Sequence, residues 1–454
     1  MNTWISLLPP LLAIVLAITT RKAYLAILSG IVLGSILIAP TIPVGLMGSL
    51  NAISQTLQTS SALNSLIFIL MVGAIIQLLQ NSGAINNALQ LITNNNWVKN
   101  RVQAQLITFA AGFLMCLEGI GSMMMVGVFG RPLFKRYHVS KQKLAFVANG
   151  TGAPLAWLLP FSSAGIFLTA LIQVQVDQGL ISGKAAQLVF ASVPYQFYTL
   201  FILITVLLVA VTPFDFNKTT ASTSNNKCSN SAIDVDSRSP YSLWVVMAPL
   251  YLLLLSMILI ATVTGNGNPI DGDISSAIFY SGYVAVFGSV LIYTSHGLTL
   301  KPTLKWTLQG MLRILPAVMI LTLAFSLSHV IGQLGTANYV AALMVDHAPQ
   351  TLFPAIVFVV AIIISFATGS SGATVSILIP IALPMAEGMA LPLPIVIGAG
   401  ISGAVFGDQS SPISDSVIVA ASAAGCTPDS HFSTQIPITF CIATLAFMSY
   451  LAVT

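Results

Sequence analysis

The chain has 454 residues, of which 56% are hydrophobic and only 6% are charged, and its mean hydropathy is +0.92. Soluble domains have about a quarter of their residues charged, so this composition predicts a polytopic membrane protein with the lipid bilayer as its surroundings. The formal net charge is only +4, and nucleic acid is therefore not an expected partner. Four scattered cysteines show neither disulfide nor zinc spacing.

Ten apolar segments are long enough to cross a bilayer, which takes about 20 helical residues. Residues 102–130 and 350–386 carry a polar stretch in the middle and are predicted to be re-entrant hairpins, whose tips need protein or water around them. Residues 41–60 and 299–312 are predicted to be interfacial helices. The ten predicted spans are residues 4–20, 23–39, 62–80, 143–176, 187–212, 241–264, 274–295, 314–334, 391–424 and 433–453.

Two of the predicted spans, residues 143–176 and 391–424, are interrupted by polar runs that end in proline. The first run covers residues 149–154 and the second covers 407–412, with Asp415 following the second run. We expect the helix to break at both runs, which places two carboxylates near the middle of the membrane. A charge at this depth is costly and is usually functional. Two matched breaks in one chain are typical of the binding site of a secondary transporter.

The basic residues indicate how the chain crosses the membrane. Placing them in the cytoplasm, with Lys184 as the exception, gives two halves of opposite orientation, residues 1–212 and 241–454. A polar, flexible cytoplasmic linker at residues 213–240 joins the halves. The predicted fold class is an all-α polytopic membrane protein with two inverted-topology repeats, each with a re-entrant hairpin and a broken transmembrane helix.

Side-chain oxygen is concentrated at the hairpin tips and the breaks, where thiols and imidazoles do not cluster. Oxygen ligands favour an alkali cation over a transition metal, and a buried carboxylate can hold either a proton or Na⁺. No cofactor is expected besides these ions. The candidate residues for binding the ion or solute are Asp408, Asp415, Glu118, Asn149, Thr151, Gln409, Ser410, Ser411, Thr368, Ser370, Ser371 and Ser122. Among them, Asp408, Asp415, Asn149 and Ser411 are the candidate Na⁺ ligands.

Three classes of function can use such a site: a carrier, an ion channel and a membrane enzyme. Paired hairpins in inverted halves favour a moving carrier over a fixed pore. An enzyme is not expected, because the H-E-x-x-H and G-x-S-x-G motifs are missing and no His or Cys stands beside the acids. The structural alternative is that the polar side chains only satisfy backbone groups freed at the breaks.

The stretch from Phe406 to Asp415, with Gly425 and Cys426 ten residues further on, resembles the signature of NhaC-type Na⁺/H⁺ antiporters. These belong to the ion transporter superfamily of elevator-type carriers. The first half is similar through Arg131-Pro132, residues 137–145, Thr151, Pro154, Pro160 and Ser162-Ser163. The resemblance implies a Na⁺-coupled secondary carrier of the cytoplasmic (inner) membrane, with Na⁺/H⁺ antiport by elevator-like alternating access. Elevator carriers of this superfamily are often dimers, so it also implies a homodimer.

The chain departs from the family pattern at acidic positions of the first half. Glu118-Gly119, with Ser122 three residues after Gly119, stand where the family typically has an Asp-Asp pair and an Asn. Asn149 stands where the family typically has an Asp. A less acidic site accepts an anionic or zwitterionic solute more readily, so the alternative function is Na⁺- or H⁺-coupled transport of a small organic anion or amino acid.

Overall fold

The computed structural model describes residues 4–20, 22–81, 98–114, 119–160, 162–212, 243–267, 272–335, 339, 350–412 and 414–453. Every regular element in these ranges is a helix. The predicted linker at 213–240 and the predicted site residue Glu118 lie outside the described residues.

The helices of the first half, in chain order, are α1 (Leu8–Thr20), α2 (Ala23–Ile38), α3 (Ile42–Gln58), α4 (Ser60–Asn81), α5 (Arg101–Leu114), α6 (Gly119–Arg136), α7 (Lys141–Leu158), α8 (Ser163–Asp177), α9 (Ala185–Ser192) and α10 (Phe197–Val211). Those of the second half are α11 (Leu243–Thr264), α12 (Ile274–Ser295), α13 (Leu300–Leu334), α14 (Phe353–Thr368), α15 (Ser371–Gly388), α16 (Leu393–Ser410), α17 (Asp415–Ala424) and α18 (Pro428–Val453).

The order of elements in the second half repeats the order in the first. Helices α1 and α2 correspond to α11 and α12, the pair α5 and α6 to α14 and α15, and the pair α7 and α8 to α16 and α17. Both halves also contain a bent element. Helices Ile42–Gln58 and Ala62–Ile75 meet at 75°, and the two parts of α13, Leu300–Pro316 and Val318–Leu334, meet at 40°. The first arms of these bent elements are the predicted interfacial helices.

Contacts between the halves are reciprocal. Helix α2 packs on α13 and α12 packs on α4, while α6 packs on α17 and α15 packs on α8. At the centre, α4 and α13 touch backbone to backbone, because a Cβ added at Gly73 would lie 2.5 Å from the Gly310 carbonyl oxygen. One added at Gly310 would lie 2.2 Å from the Gly73 carbonyl oxygen. The predicted fold class, two repeats that each contain a hairpin and a broken helix, is confirmed.

Among the described residues, three helices are long and apolar enough to cross a membrane, or up to six if each bent pair forms one span. The three are Lys141–Asp177, which contains a break, Ser371–Gly388 and Pro428–Val453. Ser371–Gly388 was predicted to be a hairpin arm, yet its 18 residues are sufficient for a span. The other predicted spans correspond to shorter apolar helices or to arms of bent pairs. The protein is a multi-pass membrane protein.

The first break lies further along the chain than the sequence predicts. Residues 149–154 are helical, with Pro154 inside α7, and the helix ends only at Leu158. A proline inside a helix removes one N–H bond but can be accommodated. Leu159 is extended (φ −91°, ψ 115°) because the residue before a proline, here Pro160, is disfavoured in the helical region.

The tip of the first hairpin also differs from the prediction. The polar tip is predicted at residues 118–122, but Gly119 to Ser122 form the first turn of α6. Residues 115–118, between α5 and α6, lie outside the described part.

Candidate functional site

The two breaks have the same construction. Each begins with an extended residue before a proline, Leu159 in the first half and Ser411 in the second. Each ends with a serine that caps the following helix. Ser162 Oγ accepts from the Gly165 backbone N–H at 3.0 Å, and Ser414 Oγ accepts from the Ser416 N–H at 3.1 Å. Such caps satisfy N–H groups that have no partner within the helix.

The central residue of the site is Asp408, in the last turn of α16 just before the second break and 7% exposed. Its Oδ2 accepts a hydrogen bond from Ser371 Oγ at 2.9 Å. Its Oδ1 accepts from Ser414 Oγ and lies 3.0 Å from Ser416 Oγ. Three hydroxyl groups from α15 and the start of α17 thus surround one carboxylate.

Hydroxyl groups, and no cation among the described residues, contact the Asp408 carboxylate. In the ranges that the structure describes, no lysine, arginine or histidine forms an ion pair with it. Hydroxyl donors only partly replace water around a buried charge, and an isolated buried charge is strongly disfavoured. The site is therefore chemically suited to a small cation or a proton.

Close helix packing brings the second hairpin to Asp408. A Cβ added at Gly403 would lie 2.3 Å from the Phe358 carbonyl oxygen, and one at Gly407 would lie 2.5 Å from Ser365 Cβ. Side chains at these two positions would hold α14 and α16 apart. Gly369 ends α14 in the left-handed region (φ 67°), so the chain reverses there and α15 begins beside the carboxylate.

Trp157 connects the first half to this site. It lies in the last turn of α7, and its indole Nε1–H donates to Ser371 Oγ at 3.1 Å. Its own backbone carbonyl accepts from Gln196 Nε2 at 3.3 Å. The first break, the tip of the second hairpin and the second break therefore meet around Asp408.

A second polar network surrounds Gln409. Its Nε2 donates to the Asn149 carbonyl oxygen at 2.7 Å, and its Oε1 accepts from the Tyr198 hydroxyl at 2.8 Å. Gln435 Nε2 donates to the Gln409 carbonyl oxygen at 2.7 Å, and Gln435 Oε1 accepts from Asn149 Nδ2 at 3.3 Å. Asn149 Nδ2 also lies 3.3 Å from His431 Nε2. These side chains are buried and join α7, α10, α16 and α18.

The network contains two buried atoms with no hydrogen-bond partner in the described part of the chain, Asn149 Oδ1 and His431 Nδ1. Gln435 fixes the orientation of the amides, because the Gln409 carbonyl requires a donor and so Gln435 Oε1 is left to accept from Asn149. Asn149 accordingly presents its nitrogen to Gln435 and His431. Its oxygen is the free polar atom.

The other predicted site residues make local contacts. Thr151 and Thr368 donate to the carbonyls of Val147 and Ile364, four residues earlier, at 2.7 Å and 2.8 Å. Ser370 caps α15 by accepting from the Ala373 N–H at 3.3 Å. Thr151 is buried, whereas Thr368 and Ser370 are partly exposed. None of these hydroxyl groups contacts Asp408.

Ser410 and Ser411, two and three residues after Asp408, form hydrogen bonds with other groups. Ser410 Oγ donates to Thr439 Oγ1 at 2.9 Å, and Ser411 Oγ donates to the Phe366 carbonyl oxygen at 2.7 Å. Ser122 Oγ is buried without a hydrogen-bond partner in the described ranges. Of the twelve predicted site residues, the structure therefore places Ser371 against the Asp408 carboxylate and joins Gln409 and Asn149 in the neighbouring network.

Asp415 occupies a different environment from Asp408. It is the first residue of α17 and is exposed. An acid in the first turn of a helix interacts favourably with the N-terminal end of the helix dipole. The two carboxylates predicted to act as a pair thus differ in burial.

Several residues of the site were not singled out from the sequence, namely Ser414, Ser416, Tyr198, Gln435 and His431. A signal for Ser414 exists, because serine is a preferred N-cap residue and Ser414 follows Pro412 just before the next apolar run. Tyr198 and Gln435 are polar groups in apolar helices, which also marks functional positions in membranes. No group of three or more His, Cys, Asp or Glu in the described residues could hold a metal ion.

Comparison with known proteins identifies the family. The sequence model of the Na⁺/H⁺ antiporter family matches residues 168–454, more than half of the chain. An uncharacterized protein of Haemophilus influenzae is 26% identical over all of this chain and 91% of its own length. The malate-2H⁺/Na⁺-lactate antiporter of Bacillus subtilis is 32% identical over 34% of this chain and 32% of its own length.

Solved structures resemble the fold at low sequence identity. The YdaH transporter of Alcanivorax borkumensis has a TM-score of 0.62 at 14% identity, and the match covers 89% of this chain and 88% of the YdaH chain. MtrF of Neisseria gonorrhoeae, described with a class of antimetabolite efflux pumps, has a TM-score of 0.59 at 15% identity, covering 90% of this chain and 84% of its own. With the matched family model, these likenesses show that the chain is a multi-pass membrane transporter and a member of the Na⁺/H⁺ antiporter family.

Proposed function

We propose that the chain is a Na⁺-coupled secondary active transporter of the cytoplasmic membrane that exchanges Na⁺ for H⁺ at Asp408. The observation that carries this proposal is the Asp408 carboxylate, which is buried, bonded to serine hydroxyls and without an ion pair in the described residues. Because both Na⁺ and H⁺ neutralise this charge, their binding excludes each other.

The serine oxygens suit a hard cation. Ser371, Ser414 and Ser416 each place a hydroxyl oxygen at Asp408, and each oxygen has lone pairs to offer once Na⁺ is present. When a proton replaces Na⁺, the same hydroxyls remain hydrogen-bonded to the acid. Either loaded form is electrically neutral at the carboxylate, whereas the empty form carries a bare charge through an apolar environment and is disfavoured. That difference enforces exchange.

Movement of the site follows from the repeat architecture. The hairpins and broken helices carry the polar groups, so we assign them to a transport unit, and we assign the bent elements with α4 and α13 at their centre to a scaffold. Close contact at Gly73 and Gly310 supports a rigid scaffold. Elevator-like displacement of the transport unit against it would expose Asp408 to each side in turn.

The second candidate function is Na⁺- or H⁺-coupled transport of a small organic anion or amino acid. Two observations favour it over ion exchange alone. Asn149 is neutral and keeps a buried amide oxygen without a partner among the described residues, and part of the chain is similar to an antiporter named for malate and lactate.

Internal pH in proteoliposomes separates the two candidates. With purified protein and a pH-sensitive dye inside, an imposed Na⁺ gradient without organic solute should move H⁺ the opposite way, so that internal pH rises when Na⁺ enters and falls when Na⁺ leaves. Asp408→Asn protein, reconstituted at the same density, is the matched control and should give no change. If internal pH in liposomes with wild-type protein changes only after one organic acid or amino acid is added, plain Na⁺/H⁺ exchange is wrong and the second candidate is correct.

A further inference from the structure

Trp157 contacts the cation site through one intermediate residue. Its Nε1–H donates to Ser371 Oγ at 3.1 Å, and Ser371 Oγ donates to Asp408 Oδ2 at 2.9 Å. All three residues are at most 8% exposed. The chain of hydrogen bonds runs from α7 of the first half, through the first residue of α15, to the acid at the end of α16.

The indole restricts what the Ser371 hydroxyl can do. A serine hydroxyl has one proton and two lone pairs, while an indole N–H can only donate. Trp157 therefore occupies one lone pair of Ser371 and leaves the hydroxyl proton for Asp408. One lone pair remains, and its direction is set by the other two bonds.

Two contacts hold Trp157. Gln196 Nε2 donates to its backbone carbonyl at 3.3 Å, and the Phe167 ring packs against the indole at 6.3 Å between centroids and 89° between planes. Edge-to-face packing of this kind favours one ring orientation. The donor that reaches Ser371 is therefore preorganised before any ion arrives.

We infer that Trp157 is a positioning residue that sets the cation affinity and selectivity of the Asp408 site through Ser371. The inference rests on the proposed function, since it requires a cation at Asp408. A hydroxyl oxygen held in one direction favours a small cation with short contacts, such as Na⁺ or Li⁺. A freely rotating hydroxyl adapts more easily to the larger K⁺, because rigid sites discriminate better by size.

The test compares Na⁺ binding by wild-type protein and by Trp157→Phe, which keeps an aromatic ring and removes the N–H. Binding is measured as the Na⁺-dependent rise in unfolding temperature of protein in detergent. We expect the Na⁺ affinity of Trp157→Phe to fall about 3- to 10-fold, the range of a lost hydrogen bond, and the preference for Na⁺ over K⁺ to narrow. Phe167→Leu, which loosens the ring but keeps the N–H, should lower Na⁺ affinity by less than Trp157→Phe does.

The Ser371→Ala background distinguishes a positioning role of Trp157 from a general loosening of the fold. In Ser371→Ala protein, Trp157→Phe should cause no further loss of Na⁺ affinity, because the indole acts only through that hydroxyl. Ser371→Ala alone leaves the ring in place and must lower affinity at least as much as Trp157→Phe, so the inference remains testable if Trp157→Phe fails to fold.

The outcomes are separable. Equal Na⁺ affinity and selectivity in Trp157→Phe and wild type overturn the inference, as does wild-type affinity in Ser371→Ala. Wild-type protein that shows no Na⁺-dependent stabilisation overturns both the inference and the proposed cation site. Wild-type protein that binds Na⁺ in detergent but gives no Na⁺-driven transport in liposomes refutes only the proposed function.

Discussion

Ser162 and Ser414 are equivalent residues of the two halves, yet only one of them contacts an acid. Each caps the helix after a proline break. Ser162 Oγ turns back to the carbonyl oxygens of Ala156 and Leu159, whereas Ser414 Oγ donates to the carboxylate of Asp408. Position 156 relates to Ser162 as Asp408 relates to Ser414, six residues earlier in both cases. The second repeat has therefore placed a carboxylate where the first has alanine.

This difference predicts unequal effects of removing the two hydroxyls. Ser414→Ala should lower stability by about 1 kcal/mol through loss of the cap and should also raise the Na⁺ concentration for half-maximal transport several-fold, because Asp408 loses a donor and a potential ligand. Ser162→Ala is the matched control and should affect stability alone. Thermal unfolding and Na⁺-dependent proteoliposome flux measure the two quantities. An unchanged Na⁺ requirement in Ser414→Ala would remove Ser414 from the site.

The two acids near the second break should behave differently when neutralised. Asp408→Asn is expected to abolish Na⁺-dependent transport, since the buried charge that Na⁺ and H⁺ share is gone. Asp415→Asn should retain transport with a change of only a few fold, because Asp415 is exposed at the start of α17. Flux at saturating Na⁺ is the measurement. Complete loss in Asp415→Asn, with normal unfolding temperature, would restore the pair of acids that the sequence predicts.

The sequence located the second break more closely than the first. The predicted run 407–412 contains the extended Ser411 before Pro412, although residues 407–410 are still helical, and the turn at Gly369 brings Ser371 to Asp408, as expected of a polar hairpin tip. In the first half two prolines, Pro154 and Pro160, are candidates for the helix break. Pro154 gave the closer sequence match to the second run, but a helix can continue through one proline, and the extended residue precedes Pro160 instead.

The remaining site residues depend on contacts that sequence spacing does not reveal. Trp157 and Ser371 are 214 residues apart, and Asn149 and Gln435 are 286 apart. Trp157 could equally have been a packing residue, as its contact with Phe167 shows. Polarity in an apolar helix identifies such positions as unusual, but only the crossing of α7, α16 and α18 selects their partners.

Gln435 hydrogen-bonds the last turn of α16 at Gln409, so replacing Gln435 should destabilise that turn. In Gln435→Leu, the Gln409 carbonyl at the end of α16 loses its donor, and leaving a buried acceptor unpaired costs about 1–3 kcal/mol. We expect lower unfolding temperature together with reduced maximal flux, because Gln409 adjoins Asp408. Gln196→Leu removes the corresponding donor to Trp157 and should destabilise less, because Gln435 also accepts from Asn149 Nδ2. A larger loss of stability in Gln196→Leu than in Gln435→Leu would contradict this comparison.

Arg131 gives the last prediction, since it ties the second arm of the first hairpin to the broken helix of the other half. Its Nε and Nη2 donate to the carbonyl oxygens of Ala423 and Ser422, at the C-terminal end of α17. A cation there stabilises the helix end by roughly 0.3–1 kcal/mol. Arg131→Gln should therefore lower the unfolding temperature.

The Na⁺ requirement of Arg131→Gln should stay unchanged, because nine residue steps along α17 separate the capped end from the end beside Asp408, about 13 Å of helix. Lys135→Gln, one turn further along α6 and also exposed, removes the same charge without removing a helix cap and should leave both stability and transport as in the wild type. Unfolding in detergent and Na⁺ titration of flux in liposomes test both variants. A large shift in the Na⁺ requirement of Arg131→Gln would mean that the end of α17 is coupled to the cation site, and that the transport unit is less rigid than its packing indicates.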